Sequence, residues 1–214
     1  MKILAFDTAA EGCALALLED GRILSEMVEP MARGQDARLI PMIEAVLTAH
    51  GLDAASLDRI AIVTGPGSFT GLRVGLAAAH GFALAAHVPV IGIDCFTLAE
   101  AALAERSLST PLLVILESKR HELYARFAGD SAFMAPAQEL AEMALARASS
   151  ITGGAAHRLV AVNAMLGGRL IPAVTENRAL VAARLAATLP VPQDLPQPFY
   201  LRAPDVTKPN TSGF

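Results

Sequence analysis

Over the first 30 positions, apolar residues run together or alternate in short stretches, a pattern typical of β-strands. These stretches are residues 2–8, 12–19 and 22–29. Asp20-Gly21 lies between the second and the third, and this dipeptide predicts a two-residue hairpin turn. The chain is therefore predicted to open with three meandering strands.

After residue 35 the pattern changes, because apolar positions recur every three or four residues and predict a helix at 36–50. We expect Asp36 to be its N-cap and Pro41 to bend it or delay its start. Strands are predicted next at 59–65, 88–94, 111–118 and 122–129, with a brief one within 149–154, and helices at 70–87, 97–106, 136–149 and 177–189. Alternating strands and helices after a hairpin predict an α/β protein whose mixed sheets are flanked by helices.

The periodic pattern is complete in the first half of the chain and degrades in the second. We therefore expect a first lobe at 1–106, a truncated second lobe at 107–190 and an extended, proline-rich C-terminal tail at 191–214. The tail is expected to be ordered only where Phe199-Tyr200-Leu201 can dock.

Composition narrows the functional classes. The net charge is -4 and the 17 Lys and Arg residues form no run, which argues against a permanent electrostatic grip on nucleic acid. The N-terminus is interpreted as a strand rather than a signal peptide, and no membrane span is expected, so the prediction is a cytoplasmic protein. Cys13 and Cys95 lie in apolar segments and are interpreted as reduced core thiols.

Residues 64–86, TGPGSFTGLRVGLAAAHGFALAA, form a glycine-rich loop that leads into a helix. A Walker-type phosphate loop is excluded, because Leu72-Arg73 stands where Lys and then Ser or Thr are needed. A dinucleotide fingerprint fits better, with Gly65 and Gly67 after a strand and Asp94 at the end of the next strand. Its third glycine is displaced, however, and the pattern is common by chance.

The remaining interpretation is that the glycines serve close packing. Gly65, Gly67, Gly71 and Gly75 would let a neighbouring backbone approach the start of the helix, and Gly75 and Gly81 within the helix suggest a steric need. The helix is apolar on nearly every side, which calls for a second covering surface besides its own sheet. We predict that its outer stripe and a matching seam on the 36–50 helix contact a partner subunit. The interface residues predicted are Leu39, Met42, Ile43, Val46, Arg73, Ala77, His80 and Leu84.

Three segments together resemble a known family: the opening MKILAFDTAAEGCALALLEDG, the run GPGSFTGLRVGLAAAHGFALA and the late PFYLRAPDVTKP. They are similar to the TsaB (YeaZ) family, the dimerisation subunits of the bacterial machinery that makes threonylcarbamoyladenosine in tRNA. The resemblance implies an actin-like, sugar-kinase-like fold of two ribonuclease-H-like lobes. It also implies pairing with the catalytic paralogue TsaD, a link to the ATPase TsaE through the complex, a homodimer when alone, and only indirect contact with tRNA.

The resemblance raises the idea that Asp7-Thr8 is the remnant of a phosphate loop and Gly153-Gly154 the remnant of an adenosine-side glycine pair. A strand-end Asp that caps a turn and an ordinary loop glycine pair remain open as alternatives. Glu11 would repel a phosphate, so weak ATP or ADP binding is kept as an expectation while turnover is not expected.

We assign no catalytic residue. We also assign no set of metal ligands, because no two histidines lie three to five positions apart in the sequence. The leading hypothesis is a non-catalytic scaffold subunit that needs no cofactor. The alternatives are a small nucleotide-binding enzyme, either NAD-linked or kinase-like, and a glycoprotease-like hydrolase.

Overall fold

The structure is a computed structural model, and it describes residues 1–104, 106, 108, 110–118, 120–173 and 176–201 of the 214-residue chain. The strands are β1 (Lys2–Asp7), β2 (Gly12–Glu19), β3 (Arg22–Pro30), β4 (Arg59–Gly65), β5 (Val90–Asp94), β6 (Leu112–Leu116), β7 (Glu122–Phe127), β8 (Phe133–Pro136) and β9 (Ser150–Thr152). The helices are α1 (Gln35–Ala49), α2 (Phe69–Ala86), α3 (Cys95–Ala101), α4 (Ala137–Ala146), α5 (Ala156–Val162) and α6 (Arg178–Thr188), with 3-10 turns at Ala54–Ser56 and Ala164–Arg169.

The first sheet has five strands in the order β3-β2-β1-β4-β5. β1, β2 and β3 form an antiparallel meander, whereas β1, β4 and β5 run parallel to one another. Asp20 and Gly21 connect β2 to β3 with positive φ angles of 51° and 80°, the backbone that a two-residue hairpin turn requires. The hairpin predicted from the sequence is confirmed.

Side chains of β1 enter two cores, one on each face of the first sheet. Leu4 and Phe6 pack with α1 and α2, whereas Ile3 and Ala5 pack with α3 and α6. Successive residues of a strand point to opposite faces, so a strand covered on both faces is apolar throughout. This explains why β1 and β4 are continuous apolar runs rather than alternating ones.

The second sheet has four strands in the order β8-β7-β6-β9, and α4 and α5 cover one of its faces. On the other face, Leu112 and Val114 of β6 pack against Phe96 and Leu103 from the first half of the chain. The two lobes therefore share an apolar contact, which we call the lobe junction.

Arg126 of β7 adds a polar link across the lobe junction. Its Nε lies 2.9 Å from Glu100 Oε1, its Nη1 lies 3.2 Å from Asp94 Oδ1, and its Nη2 donates to Thr97 Oγ1 at 3.0 Å. The side chain is only 13% exposed. All three partners belong to the end of β5 or to α3, so one guanidinium ties the second sheet to the first lobe.

Helix α6 corrects the predicted division of the chain. The sequence places this helix in a second lobe at 107–190, but α6 packs against β1, β2 and β4 of the first sheet. Arg59 holds its end by donating to Ala186 O and Leu189 O, both at 2.6 Å. The predicted lobe boundary is wrong for α6 because neighbours in sequence need not belong to the same lobe. A late helix can return to an uncovered sheet face of the first lobe.

Other departures are local. The N-cap of α1 is Gly34, with φ 100°, while Asp36 lies in the first turn and makes no capping bond. Pro41 stands inside α1 without ending it. The elements β8 and α5, which the sequence did not predict, are too short for hydrophobic periodicity to reveal them.

After α6 the chain continues without regular secondary structure, and residues 196–201 form what we call the C-terminal strap. Phe199 N donates to Thr64 O at 2.8 Å, and the Phe199 ring packs edge-on against Phe96 at 6.4 Å. Leu201 also reaches the lobe junction. The docking predicted for the late aromatic segment is confirmed, while residues 202–214 of the predicted tail lie outside the described residues.

By length and composition, α2 could cross a membrane, and within the described ranges it alone meets that criterion. A core helix of a folded lobe passes the same test, and the inner flank of α2 buries Leu72, Leu76 and Ala79 in the first lobe.

Candidate functional site

The loop before α2 lies directly against the end of β1. Ser68 N donates to Ala9 O at 2.8 Å, and Thr8 Oγ1 donates to Gly71 O at 2.7 Å. A Cβ atom at Gly71 would lie 1.9 Å from Thr8 O, and one at Gly67 would lie 2.3 Å from Ala9 O. No side chain fits at either position, so these glycines allow the two backbones to touch.

The other glycines of this segment divide into two kinds. A Cβ at Gly75 would lie 2.4 Å from Thr8 Oγ1, and Gly65 combines a φ of 109° with a Cβ position 3.0 Å from Leu72 Cδ1. Both agree with the packing interpretation. Gly81 does not, because a Cβ there would meet nothing within 4 Å, so the steric need suggested for it is absent from the described part of this chain.

Asp7 and Thr8 come together at the end of β1, and both side chains contact other groups of the protein. Asp7 Oδ1 accepts from Ala9 N at 2.7 Å, whereas Asp7 Oδ2 accepts no hydrogen bond from the described residues and lies 3.0 Å from Nε of Arg178 as an ion pair. The Asp7 side chain is 1% exposed. This carboxylate therefore has an internal cation as its partner, in the position where the resemblance implies a phosphate-loop remnant.

Arg178 also contacts Cys95, since its Nη2 donates to the Cys95 sulfur at 2.8 Å. The Cys95 thiol in turn donates to Pro66 O at 3.2 Å. Burial raises the pKa of Cys95 to about 12, against the opposing attraction of Arg178. Cys95 is consequently a neutral thiol at physiological pH rather than a nucleophile.

Sequence reasoning missed Arg178. It stands 171 positions after Asp7 (178 − 7), and no spacing rule links an N-terminal strand to a late helix. The local signal for its placement is Asn177, whose side chain accepts from Ala179 N at 2.9 Å and so starts α6.

A cavity of about 240 Å³ opens between the lobes, below the roughly 300–1,000 Å³ usual for ligand pockets. Its walls are Cys95, Leu98, Ala99, Ala102, Leu103, Leu116, Thr152, Gly153, Gly154, Ala173, Glu176, Arg178 and Val181. Arg178 and Cys95 form the wall on the Asp7 side, and Asp7 itself does not reach it. Gly153 is required by packing, since a Cβ would lie 2.2 Å from Ile115 O, whereas Gly154 has open space.

The outer face of α2 is apolar and uncovered. Ala77 and Leu84 are exposed, Leu84 to 81%, and so is Arg73. His80 is different, because it is half-buried and its Nε2 lies 3.0 Å from Pro196 O of the C-terminal strap. Three of the four residues predicted on α2 thus stand at the surface, and the fourth faces the strap.

The seam predicted on α1 is wrong. Its residues are Leu39, Met42, Ile43 and Val46, none more than 3% exposed. They pack with β1, β2 and β4 in the first lobe. A helix face that contacts another subunit and a helix face that packs in its own core have the same apolar periodicity. In α1 the apolar face packs in the core of the first lobe.

Asp94, the residue at the ribose position of the dinucleotide pattern, has partners within the fold. Its Oδ1 accepts from Phe96 N at 2.9 Å and Thr97 N at 3.0 Å, which caps α3, and it is ion-paired with Arg126. Among the residues whose placement is described, no three His, Cys, Asp or Glu side chains are grouped to hold a metal ion.

Comparison with known proteins gives consistent matches. A family model described as TsaD: tRNA N6-adenosine threonylcarbamoyltransferase matches residues 23–163. The tRNA threonylcarbamoyladenosine biosynthesis protein TsaB of Escherichia coli (strain K12) is 37% identical over 125 residues, covering 58% of this chain and 53% of that protein. Its namesake in Haemophilus influenzae is 36% identical, covering 58% and 52%. The matched part is thus about half the length of these curated relatives.

An uncharacterized protein of Mycobacterium tuberculosis is 32% identical over 208 residues, covering 95% of this chain and 92% of that protein. Among solved structures, an uncharacterized protein with similarity to peptidase YEAZ from Pseudomonas aeruginosa superposes with a TM-score of 0.70 at 25% identity, covering 94% and 99% of the two chains. YeaZ from Pseudomonas aeruginosa gives 0.55 at 28% identity, covering 64% and 68%.

The ROK hexokinase of Thermus thermophilus superposes with a TM-score of 0.51 at 15% identity, covering 88% of this chain and 100% of that one. At this identity the likeness concerns the fold alone. The predicted actin-like, sugar-kinase-like fold of mixed sheets flanked by helices is confirmed.

Proposed function

Because this chain belongs to the TsaB (YeaZ) family, we propose that it is a scaffold subunit for the formation of threonylcarbamoyladenosine in tRNA. In this role it pairs with a TsaD-type paralogue, which performs the transfer, and contacts tRNA only through that complex. It is cytoplasmic, associates with TsaE through the complex, and forms a homodimer when the paralogue is absent.

The observation that carries this proposal is the outward face of α2. Ala77 and Leu84 offer apolar surface to solvent on a helix whose inner flank is already buried in its own lobe. Exposed apolar surface of this kind is characteristic of protein interfaces. Small side chains such as Ala77 allow a partner helix to approach closely, as in helical packing between subunits.

A non-catalytic role is supported by the engagement of Asp7. The Ala9 amide donates to Asp7 Oδ1, and the Arg178 guanidinium lies 3.0 Å from Asp7 Oδ2, so a phosphate or metal would have to displace an internal ion pair. Only the carboxylate of this pair is buried, since the Arg178 side chain is 37% exposed, so breaking the pair costs less than the ~3–5 kcal/mol of a fully buried one. We therefore expect purified protein alone neither to hydrolyse ATP nor to modify tRNA, and robust ATP turnover that Asp7→Ala abolishes would contradict the proposal.

The test of the pairing face is Ala77→Arg. A charged side chain at the centre of the α2 face would have to be desolvated on association, so we expect a folded protein that no longer binds the TsaD-type paralogue. Circular dichroism and light scattering check the fold and the oligomeric state, and titration calorimetry measures binding. Ala161→Arg is the matched control, because Ala161 is an exposed alanine on α5 in the second lobe. Ala77→Arg protein that still pairs would overturn the face assignment.

Nucleotide binding is a separate proposal. No cofactor is required for the scaffold role, and the lobe cavity accommodates ATP or ADP only weakly, because its volume is small and its walls are mostly apolar. Thermal-shift titration with ATP, ADP and NAD tests this, since ligand at 100 times its Kd would add about 2.7 kcal/mol. A large shift with NAD would favour the nucleotide-dependent enzyme instead, and cleavage of casein or a glycoprotein that survives chelator and active-site titration controls would favour the hydrolase.

A further inference from the structure

Two consecutive residues of the C-terminal strap go to different surroundings. The Phe199 ring enters the lobe junction, whereas the Tyr200 ring lies 5.7 Å from the ring of Phe69 at the first position of α2. Tyr200 and Phe69 are 38% and 39% exposed. An aromatic pair therefore stands at the surface where the strap meets α2.

Arg73 completes this group. Its guanidinium carbon lies 3.8 Å from the centre of the Phe69 ring, and its side chain is exposed. We call Phe69, Arg73 and Tyr200 the aromatic cluster. Phe, Tyr and Arg are enriched at protein interfaces, and Tyr and Arg are common among the few residues that dominate binding energy.

The position of the strap is specified by the rest of the fold rather than by its own sequence. A Cβ at Gly92 would lie 2.5 Å from Pro196 Cβ, so β5 leaves room for the strap at this point. His80 Nε2 contacts Pro196 O, and Phe199 N bonds to Thr64 O. Tyr200 is thus held beside α2 by the contacts of Pro196 and Phe199, which precede it.

The α2 face by itself lacks such anchors. After Arg73, the exposed small residues of α2 are Ala77, Gly81 and Ala85, and Leu84 is the one large apolar side chain exposed in that part of the helix. Residues of this size permit close approach but bury little area, and a stable interface covers about 800 Å² on each partner. The aromatic cluster lies next to this face and adds contact area to it, together with large aromatic side chains that a partner could bury.

We propose that the C-terminal strap is part of the pairing surface, and that the aromatic cluster anchors a TsaD-type paralogue there. This inference rests on the proposed function and extends it from one helix to a composite surface. A protein occupant is favoured over RNA, because the net charge is -4 and Arg73 is the single cation of the cluster.

The experiment measures binding of the purified TsaD-type paralogue to Tyr200→Ala, Phe69→Ala and Tyr200→Phe proteins by titration calorimetry. We expect the two alanine variants to bind about 10-fold or more weakly, and Tyr200→Phe, which keeps the ring, to bind like the wild type. Met165→Ala is the control, since Met165 is 76% exposed on the second lobe. Amide hydrogen exchange at Phe199 reports whether the strap stays docked.

The outcomes separate this inference from the proposed function. Loss of binding in Tyr200→Ala and Ala77→Arg, with Phe199 still protected, supports a composite surface. Wild-type affinity of Tyr200→Ala together with loss in Ala77→Arg overturns the role of the strap and leaves the α2 proposal intact. Unchanged binding in both overturns both. Weakened binding of single-stranded RNA without weaker paralogue binding would assign the aromatic cluster to nucleic acid and overturn the proposal.

Discussion

At the scale of single residues, the glycines of α2 have opposite environments within one helix. Gly75 faces Thr8 at the end of β1 and Ile62 of β4, which leave no room for a methyl group, whereas Gly81 faces open space. Sequence alone treats the two alike, because both interrupt an apolar helix. Only the positions of β1 and β4 in the folded protein distinguish them.

We expect Gly75→Ala to lower the free energy of unfolding by about 2 kcal/mol, because its Cβ would overlap Thr8 Oγ1 and Ile62 Cδ1. Gly81→Ala is the matched control and should raise it by about 1 kcal/mol, since alanine favours the helix and meets no obstacle. Urea denaturation followed by circular dichroism measures both. A stabilised Gly75→Ala protein would contradict the packing role of this glycine.

Cys95 gives a second residue-scale expectation. The folded protein raises the pKa of this thiol from 9.0 to about 12 by burial, so the folded state keeps a proton that the unfolded chain releases. Stability is unaffected below about pH 9 and falls as the pH rises above it, by about 1.4 kcal/mol per pH unit.

Free energies of unfolding between pH 8 and pH 10.5 would test this expectation. Cys95→Ala should have a shallower decline than the wild type, because the replaced side chain cannot titrate. The burial of Cys13 also raises the pKa of its thiol, so some slope remains in the variant. Identical slopes for the two proteins would contradict the assignment to Cys95.

At the scale of elements, the type and order of the longer strands and helices of the first lobe were predictable, because hydrophobic periodicity is a local property. The side on which an element is covered was not. Leu39 and Met42 have the spacing of an interface seam but pack on their own sheet, whereas the outer stripe with Ala77 stays exposed. Which neighbour covers a helix depends on long-range packing that no local pattern records.

The C-terminal strap has no periodic hydrophobic pattern that would predict its position, yet it makes several specific contacts with the rest of the fold. We expect Phe199→Ala to lower the free energy of unfolding by about 2 kcal/mol, less than for a fully buried ring, because the side chain is half-buried in the lobe junction. Val191→Ala, at a 47% exposed position before the strap, should change it by no more than about 0.5 kcal/mol. Equal effects would mean that the strap does not stabilise the junction.

At the scale of the whole molecule, Arg126 joins the two lobes through Asp94, Glu100 and Thr97. This network was not predictable, because Arg126 lies in β7 of the second sheet while its partners lie at the end of β5 and in α3. Replacing Arg126 by Gln would leave two partly buried carboxylates without a cation. We expect a loss of about 2 kcal/mol, below the range for fully buried pairs because the carboxylates are 21% and 24% exposed.

Arg147→Gln is the control for that variant, since the Arg147–Asp130 pair is more than half exposed and exposed pairs contribute at most about 1 kcal/mol. Thermal unfolding followed by calorimetry measures both variants. An Arg126→Gln protein as stable as Arg147→Gln would show that the apolar lobe junction alone fixes the lobes.

The return of α6 to the first sheet also affects how the protein is made. The strands that α6 covers are complete by residue 65, but the helix itself ends at residue 188. At about 5–20 residues per second, a ribosome needs roughly 6–25 s for the intervening chain, and one apolar face of the first sheet lacks this helix throughout. The second lobe is contiguous in the chain from β6 to α5 and can close as soon as it emerges. The N-terminal lobe, although it is synthesised first, is therefore the last to be finished, and a nascent chain arrested before residue 178 exposes a surface that chaperones bind.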